Sequence, residues 1–316
     1  MFISMVRFIP IRYSSTVYPP DIIPMIQETT ANFFNFFKHK KALQETALPY
    51  LSLHTDPGYR GKKEMFLSSE LPNEFPVISE NVSDFGSRCV SKLWFNDKKW
   101  GKEFAGFLVR LTEGMEHSRI KVIEVHPPFD TSCGSLETFL EIYATFEEEV
   151  LKEFPSAIIN IENRCNPDPK RKGGRFLLST NDDIIKLSEL ISKSDLKLQL
   201  VVDIPQLFSE HYGNILLSEE MIKKVLAPIR KIRGHISGTH IWGYDINKGK
   251  GGQHSADLNT YFNNDEKLKN CFLQEVCNLF DDGKARYFVP EVGSNHAVQS
   301  IVDDLREVGI EFVEPE

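Results

Sequence analysis

The sequence predicts an α/β protein, a single (β/α)8 TIM barrel whose active site lies at the C-terminal ends of its strands. Three features predict it. Eight short runs are rich in apolar and β-branched residues, longer amphipathic stretches alternate with them, and nearly every run finishes on a metal-ligand residue type.

The runs are Val6–Tyr13, Pro49–His54, Ile120–His126, Ala157–Glu162, Lys197–Asp203, His235–Trp242, Arg286–Glu291 and Ile310–Val313, predicted as strands one to eight. Helices are predicted over Leu136–Phe154, Asp182–Ser192, Glu219–Ile232, Glu266–Phe280 and Ala297–Val308, after an earlier helix holding Phe33, Phe34, Phe36 and Phe37. In Leu136–Phe154 the preceding Ser135 is a cap, and Leu136, Phe139, Leu140, Tyr143, Phe146, Val150 and Leu151 recur at helical steps. The glutamates between them read as a solvated face. Residues 57–116 exceed what one crossover needs. With Pro72, Pro76 and Gly86, then helical character from Cys89 to Arg110, they read as an elaborated connection between strands two and three, inside one domain spanning 1–316.

A length of 316 residues suits one such barrel, and 41% hydrophobic with 26% charged residues supports a large core. The net charge of −8 argues against coating nucleic acid through bulk electrostatics, while leaving room for a local basic patch. Five scattered cysteines without a CxxC pair disfavour a thiolate zinc site and point to a reduced, cytoplasmic setting. No apolar run approaches the ~20 residues of a membrane span. Met1–Ile11, broken by Arg7 and Pro10, lacks the order of a signal peptide.

The run ends carry the chemistry. His54, His126, Glu162, Asp203 and Glu291 finish five runs, and His240 stands near the end of a sixth. One such residue alone is more often a helix cap or a structural histidine. Six at equivalent positions would meet on the rim of the barrel, where carboxylates and imidazoles repel or desolvate one another unless a cation compensates them. Mixed oxygen and imidazole donors suit Zn, Mn or Fe as divalent ions.

These residues resemble the xylose-isomerase-like barrel superfamily, and in ligand pattern its endonuclease IV branch. Ile161-Glu162-Asn163 resembles the Glu-Asn ending of strand four. Val202-Asp203-Ile204-Pro205-Gln206-Leu207-Phe208 resembles the Asp-x-x-His-x-Phe stretch, and His126-Pro127-Pro128 resembles His-Pro-Gly. The resemblance covers roughly Pro49 to Gly293. It implies a central metal site of Glu162, Asp203, His240 and Glu291, and a second of His54 and His126 with Glu162 bridging. It also implies further ligands at His254 and Asp257. Two departures touch this last ion: Gln206 replaces a histidine, and His254 precedes Asp257 where the family has Asp before His. Two metal ions are therefore expected.

Two reactions fit. In the first, a phosphodiester hydrolase, Glu162 and Glu291 serve catalysis, and Arg164, Lys170, Arg171, Lys172, Arg175 and Lys248, with Gln206, bind a phosphate-bearing substrate, DNA among the candidates. In the second, a sugar or sugar-phosphate isomerase or epimerase, one ion holds two sugar oxygens while Glu162 and Glu291 move a proton. A non-catalytic scaffold is the third class. Helix packing accounts better than ligand contact for Trp94 and Trp100 with their neighbouring lysines.

Overall fold

The computed structural model describes residues 5–31, 36–55, 58–60, 82–85, 88–91, 98–165, 175–212 and 217–315. In chain order the strands are β1 (Arg7–Arg12), β2 (Ile26–Ala31), β3 (Tyr50–Thr55), β4 (Gly58–Arg60), β5 (Val82–Phe85), β6 (Arg88–Ser91) and β7 (Ile120–Val125). They continue with β8 (Ile158–Glu162), β9 (Gln199–Asp203), β10 (Ile236–His240), β11 (Ala285–Val289) and β12 (Glu311–Phe312). Eight of these, β1 to β3 and β7 to β11, pair in parallel, and β11 returns to β1 through Arg7↔Ala285 to Pro10↔Phe288. The predicted closed (β/α)8 barrel is the fold.

Two strand assignments change. The second barrel strand is β2, in a region read from sequence as part of a helical stretch, so every later barrel strand moves up by one. Its sequence, IQETTA, lacks an apolar run because Glu28 faces the lumen and Thr30 the mouth. The run Ile310–Val313 supplies β12, which lies outside the ring. β2 joins β1 only at Ile11↔Ile26 and Arg12↔Gln27, and β12 takes the free lower edge at Arg7↔Glu311 and Phe8↔Phe312. Phe312 closes an aromatic cluster with Phe8, Phe288 and Tyr18.

The helices are α1 (Phe36–Gln44), α2 (Lys99–Leu111), α3 (Leu136–Glu153), α4 (Asn181–Ile191), α5 (Ile204–Tyr212), α6 (Glu219–Ile229), α7 (Glu266–Phe280) and α8 (Asn295–Glu307). Helix α3 starts at the predicted cap, Ser135 accepting from Thr138 N at 3.2 Å, and buries Leu136, Phe139, Leu140, Tyr143, Phe146 and Val150. Glu147 departs from the solvated face: it is buried, and both its oxygens accept from Lys197 N, at 2.9 and 3.0 Å. Between β3 and β7 the described residues form an antiparallel sheet in the order β4-β6-β5, followed by α2. Cys89, expected in a helix, lies in β6. Phe33, Phe34 and Trp94 lie outside the described residues.

Two apolar layers result. The larger packs the helices on the outside of the barrel, and a small inner cluster of Ile9, Ile11, Ile26, Val122 and Val289 fills the lumen floor. Among the described residues no helix is long and apolar enough to cross a membrane.

Helix α4 opens with a capping box: Thr180 accepts from Asp183 N, and Asp183 accepts from Thr180 N at 2.9 Å. Arg175 holds the same carboxylate with contacts of 2.6 and 3.0 Å. Although burial opposes its charge, Arg175 and these backbone donors hold the Asp183 carboxyl below its ordinary value. A lowered folded pKa means stability present above the unfolded value of ~3.9 and lost as pH falls through the folded one. Asp183→Asn is expected to cost about 1–2 kcal/mol at neutral pH. In urea titrations that difference should vanish in acid; one independent of pH would rule out the ionised cap.

Candidate metal centre

Strand parity aims the ligands. Side chains two apart on a strand share a face, so Val122 in the lumen floor puts Glu124, and His126 just beyond β7, over the same lumen. Glu162 and Asp203 are the last residues of β8 and β9, His240 ends β10, and Glu291 follows β11 by two positions. The six predicted rim ligands, His54, His126, Glu162, Asp203, His240 and Glu291, converge. Two further carboxylates join them that sequence reading missed, Glu28 on β2 and Glu124 on β7.

The ligand atoms form overlapping groups. His54, Glu124, His126 and Glu162 make one, and Glu162, Asp203, His240 and Glu291 another; in each, all ligand atoms lie within 4.8 Å of one another. A third joins Glu28, His54 and Glu291. In the first group His54 Nε2 stands 3.0 Å from His126 Nε2, and Glu162 Oε2 lies 2.7 Å from His126 Nε2 and 3.4 Å from His54 Nε2. In the second, His240 Nδ1 is 3.5 Å from Glu291 Oε2 and 3.9 Å from Glu162 Oε1.

Those separations fit a shared cation. Bonds of ~2.0–2.1 Å around a tetrahedral ion place its ligand atoms roughly 3.3 Å apart. His54 Nδ1 faces Glu28 Oε1 at 3.2 Å, the outer carboxylate contact that orients a ligating imidazole, and Nε2 faces the cluster. Several buried atoms, Glu124 Oε1, His240 Nδ1 and Glu291 Oε2 among them, have no hydrogen-bond partner. Converging lone pairs and unpartnered buried oxygens are costly without positive charge between them. The residues present fit a divalent ion.

Without an ion, the imidazoles carry part of the compensating charge. Burial opposes charge on His54, yet Glu124, Glu28 and Glu162 hold its pKa well above the ordinary value. Burial likewise opposes His240, which Glu124 and Glu291 raise. Burial first, then the Arg164 guanidinium, lowers His126. Glu291 is buried too, yet His254 and His240 bring its carboxyl down to about 2.

Asp203 is secured by neutral donors. Burial, with Glu162 and Glu291 nearby, pushes its carboxyl up. Offsetting this, Gln206 donates from its backbone N at 2.9 Å and from Nε2 at 2.6 Å, and Trp242 Nε1 lies 3.0 Å from both carboxylate oxygens. Gln206 Nε2 also donates to Glu162 Oε1 at 2.7 Å, tying the two groups together from the first turn of α5. Asn163, noted from sequence only as part of the Glu-Asn strand ending, exchanges two hydrogen bonds with the Asp203 backbone.

The remaining candidates lie elsewhere. His254 reaches the edge of the cluster, its Nδ1 donating to Glu291 O at 3.1 Å and its ring 4.0 Å from that of Trp242. Asp257 instead caps a helical turn, accepting from Thr260 N at 2.8 Å, and belongs to none of the groups. Arg164 stands at the mouth, Nη1 3.3 Å from His126 Nε2. Arg175 is engaged by Asp183, and exposed Lys248 sits 3.4 Å from Asp245. Lys170, Arg171 and Lys172 lie outside the described residues.

No family model matches the chain, and no curated protein does. Among solved structures it is similar to a glycoside hydrolase, at 12% identity and a TM-score of 0.48, over 96% of this chain and 99% of that one. It is also similar to D-psicose 3-epimerase from Clostridium cellulolyticum H10, at 11% identity and a TM-score of 0.39, over 93% of this chain and 91% of that one. Both TM-scores are low, and neither likeness bears on the chemistry.

Trp242→Phe keeps an aromatic ring under His254 and removes the donor to Asp203. Loss of a hydrogen bond to a buried carboxylate costs about 1–3 kcal/mol. The expected result is a lower urea midpoint for the metal-free protein; an unchanged midpoint would show that Asp203 does not depend on this donor.

Proposed function

We propose that this chain is a divalent-metal-dependent hydrolase of phosphodiesters, similar in ligand pattern to endonuclease IV. The observation that carries the reading is Glu162: its two oxygens face different ligand groups, Oε2 toward His54 and His126, Oε1 toward His240. His54 and His126 with Glu162 would hold one ion, and Glu162, Asp203, His240 and Glu291 the other. Ions there, Zn, Mn or Fe by the donor chemistry, supply Lewis acidity toward a phosphoryl oxygen and lower the pKa of a water.

The protein's own groups do the rest. Glu291, kept ionised by His254 and His240, accepts the proton of the attacking water at a carboxylate oxygen. Arg164, partly exposed at the mouth, binds an anionic phosphate oxygen. Gln206 and Trp242 fix the carboxylates so that they do not reorganise during the reaction. The apolar floor excludes water from below. By their charge, Lys170, Arg171, Lys172 and Lys248 are assigned to binding a phosphate-bearing substrate, DNA among the candidates.

One observation favours the second reading, a metal-dependent sugar or sugar-phosphate isomerase or epimerase. The group Glu162, Asp203, His240 and Glu291 is complete without His54 and His126. A single ion there would leave Glu162 and Glu291 to move a proton between carbons.

Metal analysis of protein purified without chelator, with a panel of abasic duplex, single strand and small diesters, separates the readings. Two ions per chain and metal-dependent cleavage are expected, with cleavage falling more than about 100-fold in Glu162→Gln. One ion with sugar interconversion selects the isomerase. Absence of metal-dependent cleavage across the panel overturns the hydrolase.

A further inference from the structure

We propose that the cavity between the β1–β2 turn and helix α1 is a subsite for a neutral, polyhydroxylated group, the sugar ring of the substrate, seated across the metal centre from its phosphate. The proposal deepens the phosphate-binding reading above and rests on it for the position of the phosphate. It assigns a role to residues that the strand-end pattern passes over.

The cavity measures about 450 Å³, within the ~300–1,000 Å³ of small-molecule sites. Tyr13, Ser14, Ser15, Gln27, Glu28 and Thr30 line it, with His39 from α1. The turn that shapes it is fixed. Gln27 Nε2 lies 3.0 Å from Arg12 O and 2.9 Å from Ser14 O, Thr16 N donates to Tyr13 O at 3.1 Å, and Ser14 holds a left-handed φ of 52°. The cavity adjoins the metal centre through Glu28, which is 8% exposed and whose Oε1 faces His54 Nδ1 at 3.2 Å. Tyr13 continues the lumen-facing parity of Ile9 and Ile11. Burial, then Glu291 and Glu28, strengthen its hold on the phenolic proton, so at neutral pH it faces the site as a hydroxyl.

The lining selects the occupant. The hydroxyls of Tyr13, Ser14, Ser15 and Thr30 both donate and accept, and an ionised Glu28 only accepts. Among the described residues no lysine or arginine lines the cavity, so an anion there would meet the Glu28 carboxylate with no fixed cation beside it. An apolar occupant would strip water from the hydroxyls and the carboxylate without replacing it. A sugar ring supplies donors to Glu28 and both donors and acceptors to the hydroxyls. Position agrees with this. β8 lies four strands from β1 in either direction round the ring, so Arg164, two residues past β8, stands across the mouth from Tyr13, one residue past β1. With phosphate on the Arg164 side and the metal ligands between, a sugar esterified to that phosphate extends toward the cavity.

The test uses the full chain loaded with Mn²⁺ and titration calorimetry with three probes: inorganic phosphate, D-ribose and D-ribose 5-phosphate. Wild type should bind ribose 5-phosphate about 10-fold or more tightly than phosphate, the yield of two or more added hydrogen bonds. Tyr13→Phe keeps the ring, removes the hydroxyl and should cut that advantage about 3- to 10-fold. Thr30→Phe fills the cavity and should abolish the advantage, while phosphate affinity holds in both variants. Tyr13→Phe decides the matter if Thr30→Phe does not fold. No advantage of ribose 5-phosphate in wild type, or one that either variant keeps in full, would overturn the subsite and leave phosphate binding standing. Ribose bound by wild type and lost in the variants, with phosphate bound by neither, would uphold the sugar cavity and overturn the phosphate-binding reading. No binding of any probe would overturn both.

Discussion

Five carboxylates and three imidazoles buried together inside a closed ring are the constraint from which the rest follows. At an effective dielectric of about 20, two like charges 4 Å apart oppose each other by about 4 kcal/mol. Five such groups cannot all be ionised on an apolar floor without compensation. Some comes from the protein itself, through the Gln206 and Trp242 donors on Asp203 and the His54 and His240 imidazoles, whose affinity for a proton the carboxylates raise. Glu124 Oε1 and Glu291 Oε2, in ion-pair range of imidazoles, still accept no hydrogen bond. Cations are what this arrangement is short of, and the fold supplies the stiffness to hold the ligands where cations would satisfy them.

That stiffness is a property of the sheet. His54 is in register with Thr30 on one side and Glu124 on the other, and His240 pairs with both Asp203 and Val289. Because every ligand but Glu291 and His126 lies within a strand, its direction follows from parity and its height from register. Gln206 and Trp242 follow β9 and β10 directly and inherit the same precision. A ligand set built this way tolerates variation in the connections above it, which is how one barrel serves many reactions.

Much of this was legible in the sequence because the strands that hold most of the ligands are apolar runs with abrupt polar ends. The rest was hidden for identifiable reasons. β2 escaped because Gln27, Glu28, Thr29 and Thr30 give it no apolar run; its β-branched threonines after Ile26 were the available signal. Glu124 escaped because the end of the run drew attention to His126, while period-two alternation already placed both on one face. By charge Arg175 grouped with Lys170, Arg171 and Lys172 as a phosphate binder, but only the folded chain shows Asp183 gripping it from the start of α4. Asp257 read as a ligand by resemblance, although Asp257-Leu258-Asn259-Thr260 is also a plausible cap sequence, and the cap is what forms.

The segment that carries His254 shows how the cluster is limited to its strand-borne ligands. Gly243 bridges to Ala256, and a Cβ there would collide with the carbonyls of Ala256 and Asp257. This close approach ties the two ends of the loop together. His254 sits in it at a left-handed φ of 54°, held by its bond to Glu291 O and by the Trp242 ring. The same geometry commits Asp257 to a helix start, so His254 and Asp257 do not converge on a common ion. Gln206, in place of a histidine, donates its amide to the Asp203 and Glu162 carboxylates, so this position holds members of the cluster. A change that freed Gln206 would therefore loosen Glu162 and Asp203 before it created a new binding site.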